Sequence, residues 1–437
     1  MKIKFCGASK TVTGSCYYFE TESTKFLVDC GMFQGPDVEE LNKEAFKFNP
    51  EEVDFLLLTH AHLDHCGLIP KLVRAGFKGT IYSTPYTQKI SESILLDSAK
   101  LQEEGMRRRN LSSIYNTQDA INSIRLFESK EIDKEIIHND VKFIFRKASH
   151  ILGAVSIEIY NGNESITMSG DLGRTNDRLI EPYNNNYNTT HTYVMESLYG
   201  DRNHEEMDKS VDRLTTIVNN TLERNGIVMI PVFAMHRSLL MIDIIQELIN
   251  QKRIRDDVKM ALDSPLANKI ANVYKEYNSR LNLSNFPSLV YKKRDLLKHN
   301  TKNFRIILAG GGMANGGRIL NYFKRHITNK NNTVMFVGYQ AEETLGRELV
   351  EGARTIELDS KIYTVAAEIV NIEGFSAHAD QSELLWWISR FRKEEIRKVF
   401  LVHSEIEKSN VLKTKLNERF PGLDINIPDM YQEEIID

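Results

Sequence analysis

The chain of 437 residues is 41% hydrophobic and 27% charged, a balance that supplies a large buried core and excludes a disordered or fibrous protein. Lys and Arg total 56 against 60 Asp and Glu, a formal charge of -4, so no global basic field gathers nucleic acid and any such contact has to be local. The longest apolar runs, such as Ile227 to Met235, fall far short of the roughly 18 residues of a membrane helix, and no basic segment followed by an apolar stretch opens the chain; a cytoplasmic protein without membrane contact is the expectation.

Up to about Glu196 the pattern is one of short strands rich in β-branched and aromatic residues: Lys2 to Cys6, Cys16 to Phe19, Lys25 to Asp29, Phe55 to Thr59, Val141 to Arg146, Val155 to Tyr160 and Ile166 to Ser169. Helices are predicted after Cys66 and from Tyr86 to Met106. Cys6, Cys16, Cys30 and Cys66 form no CxxC pair and read as reduced packing residues. The Asn-rich stretch from Asn184 to Asn188 reads as an exposed loop. From Glu205 long amphipathic helices alternate with the apolar strands Ile227 to Pro231, Val258 to Leu262, Phe304 to Ala309 and Thr333 to Val337, a doubly wound α/β pattern. Past Glu373 come a loop, a helix with Trp386 and Trp387, and the strand Lys398 to Val402. That return to strands ending in polar residues suggests a domain inserted into another.

The informative segment is THAHLDHCG, which places His60, His62, Asp64 and His65 directly after an apolar strand. Alternate residues there can face one point while Asp64 and His65 reach a second, an arrangement that suits two divalent ions. Imidazole and carboxylate without thiolate favour zinc in a hydrolytic site. Further ligands must come from elsewhere, and His150, Asp171 and His403 each end an apolar strand. Asp29 and Glu196 also sit at strand ends, where orienting an imidazole is the expected role. His378, in GFSAHAD, is a ligand, a phosphate donor or a general acid. His138, His191, His204, His236, His299 and His326 have no partner at metal spacing and receive no metal role. The run AGGGMANGG follows a strand and precedes a helix, so the backbone of Gly310, Gly311 and Gly312 can cradle a phosphate or simply turn tightly; it lacks a nucleotide P-loop ending.

Together these residues resemble the metallo-β-lactamase fold hydrolases, with Glu196, His378 and His403 similar to motifs A, B and C of the β-CASP branch of nucleases. GASKTVTGSC, LDSPLA, AGGGMANGGRIL and VGYQAEETLGRELVEG extend the resemblance over nearly the whole chain, at a length like that of the short prokaryotic ribonucleases. It implies a four-layer αββα core made of residues 1–205 and 375–437, with a doubly wound α/β β-CASP domain at 206–374 inserted and substrate entering between them. It implies two Zn2+, one held by His60, His62 and His150, the other by Asp64, His65 and His403, with Asp171 bridging. Single-stranded RNA is the implied substrate, since motif C is histidine where the DNA-repair branch usually has an aliphatic residue. His62, where flavodiiron relatives have a carboxylate, favours hydrolysis over redox chemistry. A homodimer is left open.

The expected mechanism is attack of hydroxide on phosphorus, with Asp64 among the catalytic residues and His378, oriented by Glu196, as general acid, leaving 5′-phosphate and 3′-hydroxyl ends. Ser376, Gly310, Gly311, Gly312, Arg237, Arg318 and Arg347 are candidates for gripping RNA phosphates. Ser404, His236 and Gly311 depart from the usual family residues, and Ser404 is placed to shift the loop holding His403. Rival readings are a small-molecule ester or thioester hydrolase on the same metal core, a DNA nuclease, and an RNA-binding scaffold that no longer cuts.

Overall fold

The computed structural model describes residues 1–35, 38–109, 113–183, 186–278 and 304–436. His299, Asn184 and Asn185 lie outside them. The chain divides into two compact units, one of Met1–Asn203 with Ala377–Asp437 and the other His204–Ser376.

The first unit is built on two seven-stranded sheets. One runs, edge to edge, through Glu433–Ile435, Lys2–Phe5, Tyr17–Glu20, Lys25–Val28, Phe55–Leu57, Thr80–Ser83 and Phe127–Ser129. The other runs through Asp424–Asn426, Lys398–Val402, Thr192–Glu196, Glu164–Met168, Val155–Asn161, Val141–Lys147 and Glu135–His138. Their facing residues interlock in one core, with Phe5, Phe19, Phe26 and Phe55 from the first sheet and Phe143, Phe145, Ile157 and Phe400 from the second. The alternate residues Leu27, Leu56 and Ile81 are also fully buried, as central strands covered on both faces require. Helix Pro85–Arg109 lies against Phe127–Ser129. Behind the second sheet, Tyr193 packs edge-on against Trp387 of helix Gln381–Ile388. Helix, sheet, sheet and helix therefore follow one another in layers.

Several strands run one or two residues off the expected bounds. Tyr17–Glu20 replaces Cys16 to Phe19, and Met260–Asp263 and Ile306–Gly310 begin two residues later than their apolar runs. The ladder partner decides where a strand starts, and Val258 is spent on a turn in which its N–H bonds to the carbonyl of Arg255. Unanticipated strands include exposed ones, among them Glu135–His138, Phe127–Ser129 and the hairpin Thr355–Leu358 with Lys361–Thr364, and also the buried Thr80–Ser83.

The second unit carries a five-stranded, all-parallel sheet in the order Met260–Asp263, Ile306–Gly310, Val228–Val232, Thr333–Phe336, Glu368–Asn371. Its core includes Met229, Ile307, Phe323 and Phe336. Helices Met207–Glu223, His236–Asn250 and Pro265–Tyr277 belong to the same unit. Gly311 adopts φ of 121°, and a Cβ there would meet the carbonyl of Gly316 at 2.2 Å, so serine does not fit this conformation. No helix among the described residues is long and apolar enough to cross a membrane. All four cysteines are free and buried.

Candidate metal centre

At one edge of the paired sheets, loops leaving the strands gather seven side chains. His60, His62 and Asp64 follow Phe55–Leu57, His65 sits in the short helix Leu63–Cys66, His150 follows Val141–Lys147, Asp171 follows Glu164–Met168, and His403 follows Lys398–Val402. Close backbone approach holds these loops together. A Cβ on Gly31 would stand 1.7 Å from the carbonyl of Asp64, and one on Gly173 would stand 1.7 Å from that of Ser149.

Three groups of ligating atoms form there. His60, His62, His150 and Asp171 make one, Asp64, His65 and His403 a second, and Asp171, Glu196 and His378 a third. Asp171 joins the first two: its Oδ2 lies 3.4 Å from His60 Nε2 and 3.6 Å from His150 Nε2, while Oδ1 lies 3.2 Å from His65 Nε2 and 3.5 Å from His403 Nε2. Asp64 meets His403 Nε2 at 3.3 Å.

Hydrogen bonds around the site assign its tautomers. The Asp29 carboxylate accepts from Thr59 N and Thr59 Oγ1, each at 2.8 Å, and from His65 Nδ1 at 2.7 Å. Because the Thr59 hydroxyl donates to Asp29, it can only accept from His60 Nδ1 at 3.0 Å. His150 Nδ1 donates to the carbonyl of Ala377 at 3.2 Å. Each of these three rings thus carries a proton on Nδ1; His60 and His150 turn a bare Nε2 lone pair inward, while Nε2 of His65 faces the Asp171 carboxylate.

His60 Nε2 and His150 Nε2 converge on His62 Nδ1 at 2.9 and 3.1 Å. A proton on His62 relieves one of those lone-pair contacts and not both. Asp171 Oδ1, fully buried, has no hydrogen-bond donor. A cation satisfies such a set of donors where protons do not.

Electrostatics follow the same division. Burial, followed by repulsion from the neighbouring His65, pushes the His60 pKa down; His62 and His150 fall further, through burial and then repulsion from His60 and His378 respectively. Burial opposes charge on His65 and His403 as well, but Asp171 with Asp29 raises the first well above the ordinary imidazole value, and Asp171 with Asp64 raises the second to about 9. Burial also works against ionised Asp64 and Asp171, and the surrounding imidazoles outweigh it, holding both below the usual carboxylate range.

His378 stands beside this centre. Its Nδ1 lies 3.3 Å from Glu196 Oε1, which also accepts from Leu172 N at 2.7 Å, and its ring is 4.3 Å from that of His150. Backbone pairing of Gly173 with His378 and the bond from Ala379 N to Leu172 O at 2.7 Å fix the loop. Asp380 and Glu383 form a reciprocal cap on the helix that follows, and Glu383 also accepts from Thr175 N and Oγ1 at 2.8 Å. His378 is therefore pinned to the segment carrying Asp171.

The structure brings together His60, His62, Asp64, His65, His150, Asp171 and His403, and beside them Asp29, Glu196 and His378. Ser404 is fully buried next to His403, whose φ of 58° is left-handed while its ring still faces Asp64. Among the described residues, His138, His191, His204, His236 and His326 join no such group. The residues named for phosphate binding lie in the second unit. Arg318 is paired with the buried Asp263 at 2.7 Å, Arg347 with Glu351 at 2.6 Å, and Arg237 lies over the Phe233 ring at 5.3 Å. Ser376 is buried, and Gly310 ends a strand with Gly312 beside Phe233. The N–H of Gly311 already bonds to Val232 O at 3.1 Å, so that group is not free for a phosphate. Thr59 and the Ala377 carbonyl went unread in the sequence; Thr59 could have been suspected from its place before His60, whereas a carbonyl acceptor leaves no signature.

The metallo-beta-lactamase superfamily model matches residues 10–223, the Beta-Casp domain matches 239–349, and the Zn-dependent metallo-hydrolase RNA specificity domain matches 362–428. The chain is 31% identical over 424 residues to Ribonuclease TTHA0252 of Thermus thermophilus, covering 93% of this chain and 94% of that protein. It is 30% identical to the transcription termination factor FttA of Methanosarcina mazei, covering 93% of this chain and 67% of the relative. A crystal structure of a protein of unknown function from Enterococcus faecalis V583 superposes with a TM-score of 0.58 at 13% identity, over 100% of this chain and 99% of that one, and so shares its fold.

Proposed function

The chain belongs to the metallo-beta-lactamase superfamily and its Beta-Casp branch, and from that premise we propose that it is a zinc-dependent ribonuclease that hydrolyses phosphodiester bonds in single-stranded RNA. The observation that carries the reading is Asp171, one carboxylate with an oxygen turned to each of two ligand groups. His60, His62 and His150 would hold one Zn2+ and Asp64, His65 and His403 the other, with Asp171 shared. Bound there, the cations supply Lewis acidity, acidifying water near neutral pH and offsetting charge on phosphoryl oxygens.

The chain's own residues do the rest. Asp29 keeps the proton of His65 on Nδ1, so that Nε2 stays available as a donor atom. Thr59 does the same for His60, and the Ala377 carbonyl for His150. Glu196 engages Nδ1 of His378, leaving Nε2 of that ring to deliver a proton to the departing 3′ oxygen. The products would carry 5′-phosphate and 3′-hydroxyl ends.

The test is incubation of zinc-loaded protein with end-labelled single-stranded RNA and DNA of the same sequence, beside an Asp64→Ala, His65→Ala double variant. Cuts in RNA alone, absent from the variant, support the reading. Equal cutting of DNA would replace it with a DNA nuclease, and no cutting of either polymer by protein holding two zinc ions would sink it in favour of a small-molecule hydrolase or a binding scaffold.

A further inference from the structure

The chain has two tryptophans, adjacent in sequence and opposite in burial. Trp387 is fully buried against Tyr193 and Phe391, whereas Trp386 is 42% exposed. Packing of helix Gln381–Ile388 against the second sheet accounts for Trp387. It leaves an indole presented to water, on a helix position that a charged residue serves equally well for helix formation.

That indole is held in place. The Arg390 guanidinium lies 4.7 Å from the Trp386 ring and 5.0 Å from both Tyr183 and Tyr187. Tyr183 contacts Trp386 at 5.5 Å with a tilt of 39°. A partly exposed indole with a cation over its ring is thus ordered before anything binds, and little side-chain freedom remains to be lost on contact. The same helix is anchored at the reacting centre. Its cap, Glu383, bonds Thr175, four residues beyond Asp171, and its N-terminus follows His378 by three residues.

We infer that Trp386, backed by Arg390, is a stacking platform for a base of the RNA strand outside the reacting centre, an inference that rests on the ribonuclease reading above. The indole offers a π-face to any base, and the guanidinium beside it complements the polyanion; such contacts are tolerant of sequence. Stacking of one base on an aromatic side chain is equivalent to a loss of about 5- to 150-fold in affinity on its removal.

The experiment uses metal-loaded protein carrying His378→Gln to slow turnover, titrated with a short single-stranded oligoribonucleotide. Tryptophan fluorescence and the anisotropy of labelled RNA are read in parallel. The expected result is saturable quenching that disappears in Trp386→Leu, with RNA affinity about tenfold weaker or more, and with affinity largely restored in Trp386→Phe. On the otherwise native chain, Trp386→Leu should raise KM and leave kcat unchanged, with the thermal transition unmoved. Unchanged affinity and unchanged quenching in Trp386→Leu would overturn the inference and leave the surface to a protein partner. Failure of the native chain to bind or cut RNA at all would overturn the ribonuclease reading itself, and that failure appears before any change at Trp386.

Discussion

Nδ1 of His65 lies 2.7 Å from a carboxylate oxygen of Asp29, a residue that itself sits in the left-handed backbone region with φ of 60°. Asparagine tolerates that conformation, so Asp29→Asn tests the carboxylate with little backbone penalty. Loss of an orienting carboxylate typically weakens metal binding about 10- to 100-fold. Competition with a zinc-sensitive chelator should show that loss. Unchanged zinc affinity in Asp29→Asn would remove its assigned role.

Asp171 is the residue common to both ligand groups. Asp171→Ala should lower the zinc content measured by elemental analysis below that of any single histidine variant. RNA cleavage should fall by more than about a hundredfold, the rate equivalent of several kcal/mol of lost charge stabilisation. A variant that keeps full zinc content would show that the two groups bind independently.

His378→Ala should separate chemistry from metal binding. The rate should drop about 10²- to 10⁴-fold, the usual contribution of a general acid, while zinc content stays at the native level. Glu196→Gln, which keeps the shape but not the charge beside His378 Nδ1, should cut less slowly than His378→Ala and shift the pH-rate profile. If His378→Ala loses zinc, the histidine is a ligand and another proton donor must be found.

Chelation supplies a reversible counterpart. Treatment with excess chelator should abolish cleavage and lower the thermal transition, because ligand binding to the folded state alone stabilises it by RT ln(1 + [L]/Kd). Each site filled by zinc at 100 times its Kd should return about 2.7 kcal/mol. Activity that survives complete metal removal would exclude the proposed chemistry.

A stability prediction concerns Glu158, fully buried, which takes two hydrogen bonds of 3.0 Å from Arg146. Glu158→Ala leaves a buried guanidinium with only its bond to Asp133 and should destabilise the unit by about 3–5 kcal/mol. Calorimetry of the metal-loaded protein should show it, with zinc content unaltered. A change below about 1 kcal/mol would mean that water reaches Arg146.

Central strands were legible because their residues are apolar on both faces, as in Phe26, Leu27 and Val28. The residues ending such strands carry the candidate metal centre, which is why His150, Asp171 and His403 could be joined to His60 across long stretches of chain. Glu433–Ile435 was not legible: it is exposed, three residues long, and is a strand because Lys2–Lys4 pairs with it from the other end of the chain. The same holds for the site. Donor side chains announce themselves by type, but the tautomers depend on Thr59 and on a backbone carbonyl at Ala377, whose roles exist only once the fold has brought them near.

Gln381 N bonds to the carbonyl of Arg202 at 3.0 Å, and Ser382 N to the side chain of Asn203, so the chain leaves the first unit and re-enters it at neighbouring points. All ten residues of the candidate metal centre and its proposed acid lie outside the intervening His204–Ser376 segment. The hydrolytic hardware is therefore a continuous object in space though not in sequence, and a short linker could span the gap. Each halving of a closed loop lowers its closure cost by only about 0.6 kcal/mol, so excising the insertion is cheap in chain entropy. In chain terms the two units are separable parts, because none of these ten residues is supplied by the inserted one.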